Sequence, residues 1–330
     1  MGFRAKLLAL AVLIFAGLAI TFSNPALAGQ EAFEKSGGPV DTWNRPIEQE
    51  FVVGKDINPV HFVIGVAIAL ILILIAQNTF AKFLPLGLVR ALTSIGIIVI
   101  IWEMVVYYKL VNQVLLPPPT TVIIKLQGHW AKGYLQIHII ASLKRLFIAF
   151  SLAIATGVPL GFLIANFRKF SDYIDPLFNL MRVVPPPAWL PFAILWFGIG
   201  NPPSYFIIWL GAFFPILLNT ISGIKDTQQI HIESIQTLGG SRMDIYTKVM
   251  IPSAFPIIFT GIRIGFGIGW ICLVTAELVA VDAGLGWMIE DARNLLDTPT
   301  VLGGMVVIML FGIFFDTIFR AAEKEVVKWQ

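Results

Sequence analysis

Long apolar runs separated by short polar stretches dominate the chain. The runs are roughly 17 to 25 residues long, the length that a helix needs to cross a bilayer core. They predict membrane-spanning helices at about 60–80, 91–108, 146–165, 183–199, 204–224, 255–281 and 299–319. The pattern therefore predicts an all-α fold, a polytopic bundle of transmembrane helices.

The N-terminal residues 1–28 have the layout of a targeting segment. Arg4 and Lys6 precede an apolar stretch from 7 to 21, and Ala26 and Ala28 flank Leu27 at a small-residue end. This is the layout of a secretory signal peptide, and an uncleaved signal anchor would look the same. Either alternative places residue 29 and those after it on the outer side of the membrane.

Four segments then describe the organisation of the chain. The polar stretch that follows the targeting segment is rich in glycine, proline and acidic residues, with little periodicity. We expect an extracytoplasmic segment, one additional span, and a main transmembrane domain with a polar loop inside it. Their predicted ranges are 29–59, 60–85, 86–330 and, for the loop, 225–254.

The basic residues are distributed unevenly between the predicted loops. With residue 29 outside, fourteen of the 23 Lys and Arg residues fall on the inner side. Cytoplasmic loops carry an excess of Lys and Arg. We therefore expect a multi-pass membrane protein with the loop at 225–254 and the C-terminus in the cytoplasm.

Composition supports the membrane class and excludes others. Hydrophobic residues make up 57% of the chain and charged residues 13%, about half of the charged share of a soluble domain. The net charge is only +3, and the basic residues form no stripe along the sequence. Neither observation indicates nucleic acid as a partner. Cys272 is the only cysteine, and the four histidines lack metal-ligand spacing. We expect no metal site, no cofactor site and no catalytic residues.

Prolines interrupt the predicted span at 183–199. Pro185, Pro187 and Pro191 belong to a group of four prolines within seven residues around Trp189. Proline lacks a backbone donor and clashes with the preceding helical turn, so a regular helix cannot continue through this group. One interpretation is an element that lines a pathway or an interface; the other is a helix that begins only after Pro187.

Small residues recur in the predicted span at 255–281. Gly261, Gly265 and Gly269 are spaced four residues apart. Glycine at this spacing allows a second helix to approach closely.

The loop at 225–254 reads as two short helices joined by a tight turn. The first, at about 229–238, ends at Gly239, which is suited to the left-handed conformation of a helix C-terminus. The second begins at Ser241, whose side chain can cap the backbone N–H of Asp244. Pro252 is expected to end the loop and to begin the next span.

This loop resembles the "EAA" loop of importer permeases of the ABC transporter superfamily. The residues that carry the resemblance fall at the family's spacing, and they are Glu233, Gly239, Val249, Ile251 and Pro252. Ser234 and Ile235 replace two alanines of the family pattern. The isoleucine is the larger departure, because its bulk could change how closely the helix packs.

Further motifs from residue 115 onward resemble the nitrate/taurine/sulfonate branch of these permeases. They cover about two thirds of the chain in the right order; the first 85 residues lie outside the resemblance. The motifs include Leu116-Pro117-Pro118-Pro119, His138-x-x-x-Ser142-Leu143-x-Arg145, Gly157-Val158-Pro159-Leu160-Gly161, Asp175-Pro176-Leu177, Ala188-Trp189-x-Pro191, Phe214-Pro215-Ile216, Gly261-x-Arg263 and Gly284-Leu285-Gly286.

The resemblance implies a permease subunit of an ATP-driven importer in a bacterial plasma (inner) membrane. Its substrate would be a small anion such as nitrate, taurine or another sulfonate, or bicarbonate. Its partners would be cytoplasmic ABC ATPase subunits, a second permease subunit (a homodimer), an extracytoplasmic substrate-binding protein and membrane lipid. Glu233 and Gly239 are the principal candidates for ATPase contact, with Arg242 and Asp244 as secondary contacts. The sequence itself contains no G-x-x-x-x-G-K-[ST] loop that could bind ATP phosphates.

Two residues of the sixth predicted span are candidates for the pathway or its outer gate. Trp270 and Glu277 lie in its outer half. Carboxylates within a membrane are costly and are usually paired or face a cavity. A carboxylate would repel an anionic substrate, so structural pairing of Glu277 is the favoured alternative to a place in the gate.

Two other classes of protein compete with this interpretation. A secondary transporter or channel that works without ATP would show inverted repeats and broken helices at matched positions. The single proline-broken span has no such counterpart in the sequence. A membrane scaffold protein would have no need of that broken span.

Overall fold

The computed structural model of the chain describes residues 60, 63–67 and 86–326, and all regular secondary structure in this part is helical. The predicted segments at 1–28 and 29–59, and most of the span at 60–80, lie outside the described residues. The helices, in chain order, are α1 (Leu86–Tyr107), α2 (Pro119–Ala131), α3 (Tyr134–Asn166), α4 (Arg168–Val183), α5 (Leu190–Phe197), α6 (Asn201–Lys225), α7 (Gln229–Thr237), α8 (Arg242–Glu277), α9 (Leu285–Asn294) and α10 (Thr298–Val326).

The described residues form two compact units. The first unit comprises residues 137–288 and 306–326, and the second comprises 86–136 and 289–305 with the short helical stretch at 63–67. Within the described residues four helices are long and apolar enough to cross a membrane, namely α3, α6, α8 and α10. These four correspond to the predicted spans at 146–165, 204–224, 255–281 and 299–319.

Helix α6 forms the centre of the first unit. Two thirds of its most apolar 18-residue segment is buried, a larger share than in any of the other three long helices. Ile208, Ile216 and Leu217 are fully buried in the same apolar core as Leu146 of α3 and Leu273 of α8. This central position follows from small residues on the flanking helices, which allow close contact on both sides of α6.

The glycine repeat of α8 makes the closest of these contacts. A Cβ atom at Gly261 would lie 2.5 Å from the Cβ of Asn219, and one at Gly265 would lie 2.8 Å from the carbonyl oxygen of Ala212. Any side chain at these positions would force α6 and α8 apart. The predicted close approach through Gly261 and Gly265 is confirmed.

The predicted span at 183–199 is not a single helix. Helix α4 ends at Val183, a 3₁₀ turn occupies Pro186–Trp189, and α5 begins at Leu190 at an angle of 91° to α4. Because α5 has eight residues, it is only about 12 Å long and cannot cross a bilayer core alone. The bent pair α4–α5 together is long enough for one broken span or a re-entrant segment.

In the second unit, a buried carboxylate fixes the start of helix α2. Glu103 of α1 is 1% exposed. Its two oxygens accept hydrogen bonds from the backbone N–H of Thr120 at 3.2 Å and from the hydroxyl of Thr120 at 3.0 Å. A negative charge at a helix N-terminus is favourable, because the free N–H groups and the helix dipole point toward it. Glu103 therefore joins α1 to α2.

A second polar cluster joins α2 to the start of α10. His129 Nε2 lies 2.9 Å from the hydroxyl of Thr300, which donates to Asp297 at 2.8 Å. Lys125 forms an ion pair with the same carboxylate at 2.9 Å. Burial, together with the nearby charge of Lys125, lowers the pKa of His129 from 6.5 to about 4. The imidazole is therefore neutral at physiological pH.

Candidate coupling and pathway sites

The first helix of the loop at 225–254 ends as the sequence predicts. Gly239 has φ +79°, and its N–H donates to Gln236 O at 3.0 Å while the N–H of Gly240 donates to Ile235 O at 2.9 Å. This pair of bonds defines a Schellman motif, in which the residue at the left-handed position is usually glycine. The left-handed turn predicted at Gly239 is confirmed.

The start of the next helix is held by a reciprocal cap. The Ser241 hydroxyl oxygen accepts the N–H of Asp244 at 3.2 Å, and the Asp244 carboxylate accepts the N–H of Ser241 at 2.9 Å. Lys248 forms an ion pair with the same carboxylate at 2.6 Å. The predicted cap at Ser241 is confirmed, and Asp244 is engaged within its own turn.

The second helix of the loop continues into the membrane, contrary to the prediction of a separate short helix. Helix α8 runs without interruption over 36 residues, from Arg242 to Glu277. Residues Ile245–Met250 are wound as a π-helix, in which the N–H of Ile251 donates to Tyr246 O. Pro252 explains the wider turn, because it lacks an N–H and its ring displaces the carbonyl four residues earlier. Pro252 therefore widens the helix without ending it.

The loop presents a mixed polar and apolar surface. Glu233 and Arg242 are exposed, and within the described part of the chain their side chains make no hydrogen bond or ion pair. Three large apolar side chains beside them are also exposed, Ile230 at 64%, Leu238 at 83% and Met243 at 68%. Exposed apolar groups within a polar loop are typical of a protein-binding surface. We call these five residues the loop surface.

The pathway candidates of the bend between α4 and α5 lie close together in the chain and at its surface. Pro185 and Pro191 are exposed, and Pro187 and Trp189 are half-buried. The Trp189 ring lies 6.4 Å from those of Phe192 and Trp196. The structure therefore places these four candidates on one exposed aromatic bend.

Trp270 and Glu277 lie in the interior of the first unit, where Trp270 belongs to the apolar core against which Trp189 of the bend also packs. Trp270 is 9% exposed and packs its ring against Phe315 at 6.0 Å. Glu277 is fully buried, and its carboxylate accepts hydrogen bonds from Arg145 at 2.8 Å, from the Ser142 hydroxyl at 2.8 Å and from the N–H of Gly286 at 3.0 Å. Of the two alternatives for Glu277, this arrangement is the structural pairing.

Three backbone N–H groups at the N-terminus of α9 donate to the network around Glu277. The N–H of Gly284 donates to His138 Nδ1, that of Leu285 to the Ser142 hydroxyl, and that of Gly286 to Glu277. Three consecutive N–H groups at a helix start attract negative charge. A Cβ at Gly284 would lie 2.4 Å from the Glu277 carboxyl carbon, so only glycine at position 284 leaves room for the Glu277 carboxylate.

Arg145 completes the buried network and joins two further segments to it, the start of α6 and the turn before α9. Its guanidinium donates to Asn201 Oδ1 at 2.6 Å and to the carbonyl oxygen of Ala283. Ser142 and Arg145 belong to one of the motifs that carry the family resemblance, but neither is among the predicted site residues. Their spacing from His138, at four and seven residues, places all three on one face of α3, which is the signal that could have identified them as a unit.

Four helices that are long and apolar enough to cross a membrane define the class of polytopic membrane proteins. A family model for the binding-protein-dependent transport system inner membrane component matches residues 157–328. The chain belongs to this family of importer permeases, which span the inner membrane several times.

Two curated relatives align over most of their length. The taurine transport system permease protein TauC of Escherichia coli is 36% identical over 72% of this chain and 88% of the relative. The nitrate import permease protein NrtB of a Synechocystis strain is 30% identical over 72% of this chain and 89% of the relative.

A solved structure supports the fold. An inward-facing form of the MetNI methionine ABC transporter has a chain that aligns with a TM-score of 0.50 and 18% identity, over 57% of this chain and 93% of that chain. At this level of identity the similarity concerns the fold alone.

Proposed function

We propose that the chain forms the membrane pathway of an ATP-driven importer for a small anion, and that the loop surface couples it to a cytoplasmic ATPase. The observation that carries the coupling proposal is the loop surface itself. It combines three exposed apolar side chains on a capped turn with an acid and a base that make no side-chain pairing among the described residues. Because α8 begins in this loop and crosses the membrane, movement of the loop would move a transmembrane helix.

The anion is proposed as a sulfonate or nitrate, because the relatives TauC and NrtB carry those substrates in their names. Uptake of labelled taurine and labelled nitrate would be measured with proteoliposomes that contain the complete transporter and its binding protein. We expect ATP-dependent uptake of one of the two. Uptake that continues without ATP would contradict the importer and favour a secondary transporter.

Coupling would be tested with two substitutions. Glu233→Lys changes the loop surface, and Gly239→Asp changes the turn beside it. We expect both variants to reach the membrane but to lose transport and to bind the ATPase more weakly, because the contact loses its charge match or its turn. Lys324→Glu, which reverses an exposed charge near the end of α10, is the matched control and should retain uptake. Normal uptake by Glu233→Lys would contradict the proposed contact.

The second permease subunit is proposed to be another copy of this chain. Helix α4 exposes Tyr173 at 84%, Leu180 at 73% and Val183 at 76%, an apolar surface that a second copy could cover within the membrane. Native mass spectrometry of the purified transporter would report two identical permease chains. A different second permease in the complex would contradict the homodimer.

The orientation is proposed from the distribution of Lys and Arg, with the loop surface and the C-terminus in the cytoplasm. Green fluorescent protein fused after the last residue would fluoresce if the C-terminus is cytoplasmic. Absence of fluorescence, with activity of an alkaline phosphatase fusion at the same site, would reverse the orientation.

A further inference from the structure

One end of the second unit exposes six large apolar side chains. They lie on two segments, the loop after α1 and the turn between α9 and α10. We call them the apolar loop patch, and they are Tyr108, Leu110, Val114, Leu115, Leu295 and Leu296. Leu110, Leu115 and Leu296 are each more than 70% exposed. Leucine side chains exposed to this extent would be unfavourable in water. A cluster of them on one surface usually marks a site that contacts protein or membrane.

The backbone beneath the patch is unusual in the same two places. Lys109 has φ +57° and Leu296 has φ +58°, and they are the only non-glycine residues with positive φ in the described part of the chain. Each occupies the left-handed position of a Schellman motif at a helix end, where glycine is usual. A side chain in this conformation is unfavourable. At position 296 an exposed leucine is thus maintained at a site that favours glycine.

The two segments are held together. The Thr298 hydroxyl donates to the carbonyl oxygen of Val114, and Asp297, next to Leu296, pairs with Lys125 of α2 at 2.9 Å. Both loops are therefore fixed at the same end of the second unit, and both contribute exposed apolar side chains there.

This surface continues an exposed apolar stripe on α1. Ile97, Ile101, Met104 and Tyr108 follow one another at intervals of four, three and four residues, and all are exposed, which places them on one face of the helix. Helix α1 covers the predicted span at 91–108, although only its part from Thr93 to Tyr107 is a continuous apolar helix. An exposed apolar face on such a helix, in a protein of the membrane, faces lipid or another protein. A tyrosine at the end of such a stripe and a lysine directly after it, as at Tyr108 and Lys109, are typical of the boundary between the acyl chains and the headgroups.

We propose that the apolar loop patch is an anchor in the membrane interface, whose leucines lie in the boundary between headgroups and acyl chains. Immersion in lipid would remove their apolar surface from water, as it does for interfacial amphipathic segments. The continuity with the stripe on α1 favours lipid over a soluble partner. The proposal depends on the membrane location of the chain, and it is independent of the cargo and of coupling to an ATPase.

Site-directed spin labelling of the full-length protein in nanodiscs of phosphatidylethanolamine and phosphatidylglycerol tests the proposal. Labels at Leu110→Cys and Leu296→Cys would be compared with Ile101→Cys on the α1 stripe and Met243→Cys on the loop surface. Cys272 is 1% exposed, so protein without an added cysteine measures the background. We expect the accessibility ratio of oxygen to a water-soluble nickel chelate to be several-fold higher at 110 and 296 than at 243.

Two results would overturn the anchor. Nickel accessibility at 110 and 296 equal to that at 243 would place the patch in water. Inaccessibility to both reagents would show that protein covers it, either a second copy or a binding protein. Leu115→Cys, at a residue with ordinary backbone geometry, gives an independent reading if a label at 296 disturbs the fold.

Discussion

At the scale of single residues, the pair of Glu277 and Arg145 shows how this membrane protein accommodates buried charge. Neither side chain is more than 5% exposed, and each has partners beyond the other. Desolvation of both ions is costly, and hydrogen bonds from Ser142 and Gly286 offset part of that cost. The pair therefore depends on the complete network around it.

Removal of one partner should be more damaging than removal of both. We expect Glu277→Gln or Arg145→Met alone to lower the free energy of unfolding by about 3–5 kcal/mol, because each leaves a buried charge without its counter-ion. The double variant should recover much of this loss. Thermal unfolding of the single and double variants in detergent measures the coupling. Additive effects would show that the ions do not act as a pair.

The departure from the family pattern at Ile235 is accommodated by its neighbour in the turn. A Cβ at Gly240 would lie 2.4 Å from Cγ2 of Ile235. The larger residue at position 235 therefore packs over a glycine, and the turn keeps its geometry. The sequence identified Ile235 as a difficulty, but the compensation depends on a contact that spacing alone does not reveal.

Gly240→Ala should disturb the turn, and Ile235→Ala should rescue it. We expect the single Gly240→Ala variant to lose stability by about 1–3 kcal/mol, the usual cost of overpacking, together with ATPase binding. In the double variant the alanine at 235 makes room for the new methyl group. Unfolding and ATPase binding of the four combinations test this, and a Gly240→Ala variant that behaves like the parent would contradict it.

The neutral state of His129 makes the contact between α2 and α10 sensitive to acid. Its pKa is about 4 in the folded protein and 6.5 in the unfolded chain, so the unfolded state binds more protons between these values. Stability should therefore be complete above about pH 6.5 and decline as the pH falls toward about 4. Unfolding temperatures at about pH 5 and about pH 7.5 should differ less in His129→Gln than in the parent. Equal pH dependence in the two proteins would contradict this origin.

At the scale of helices, glycines of α8 allow its backbone to pack directly against α6. We call this contact between α6 and α8 the seam. Gly261 and Gly267 lie on the same helix in different surroundings. A Cβ at Gly261 would meet Asn219 at 2.5 Å, whereas a Cβ at Gly267 would have nothing within 4 Å. The two positions form a matched pair for substitution.

Gly261→Ala should separate α6 from α8 and lower the free energy of unfolding by about 1–3 kcal/mol. Gly267→Ala should be neutral or slightly stabilising, because alanine favours the helix over glycine. Thermal unfolding of both variants in the same detergent is the measurement. A similar effect of the two substitutions would show that helix propensity outweighs packing at this seam.

Sequence patterns predicted which segments are helical better than they predicted the first and last residues of each helix. The apolar runs located α3, α6, α8 and α10, and the turn at Gly239 and the cap at Ser241 were predictable from local chemistry. The early start of α3 at Tyr134 was not predictable, because polar residues such as Ser142, which bonds to Leu285, interrupt its apolar run. The length of α8 was not predictable either, because a π-helical segment accommodates Pro252 within the helix. The prolines at 185–187 predicted a break, but only the structure gives the bend of 91°.

The pairing of Glu277 with Arg145 was only partly predictable from the sequence. A buried carboxylate predicts a partner, and the face shared by His138, Ser142 and Arg145 offered one. The choice of that face requires the packing of α3 beside α8 and α9, and sequence spacing within one helix does not determine it.

At the scale of the whole molecule, the continuity of α8 links the loop surface to the core of the first unit. A helix of 36 residues is about 54 Å long, so it can transmit a displacement as a rod. Its π-helical segment before Pro252 is the least regular part of that rod.

Two glycines inserted between Met250 and Ile251 should interrupt this transmission. We expect membrane insertion and ATPase binding to persist, while the number of substrate molecules moved per ATP falls, because a flexible joint absorbs the movement. The same insertion after Gly133, in the turn between α2 and α3, is the control. Unchanged transport per ATP in the first variant would show that α8 does not carry the movement.

The central position of α6 also bears on the biogenesis of the protein. Its buried Ser204 and Thr220 and its tight seam suit neighbouring helices better than lipid, but α8 follows it in the chain and is synthesised later. Translation proceeds at about 5–20 residues per second, so α6 waits some seconds for its second partner. The first unit consequently matures only when α8 has left the ribosome, and truncated chains that end at α7 should be degraded.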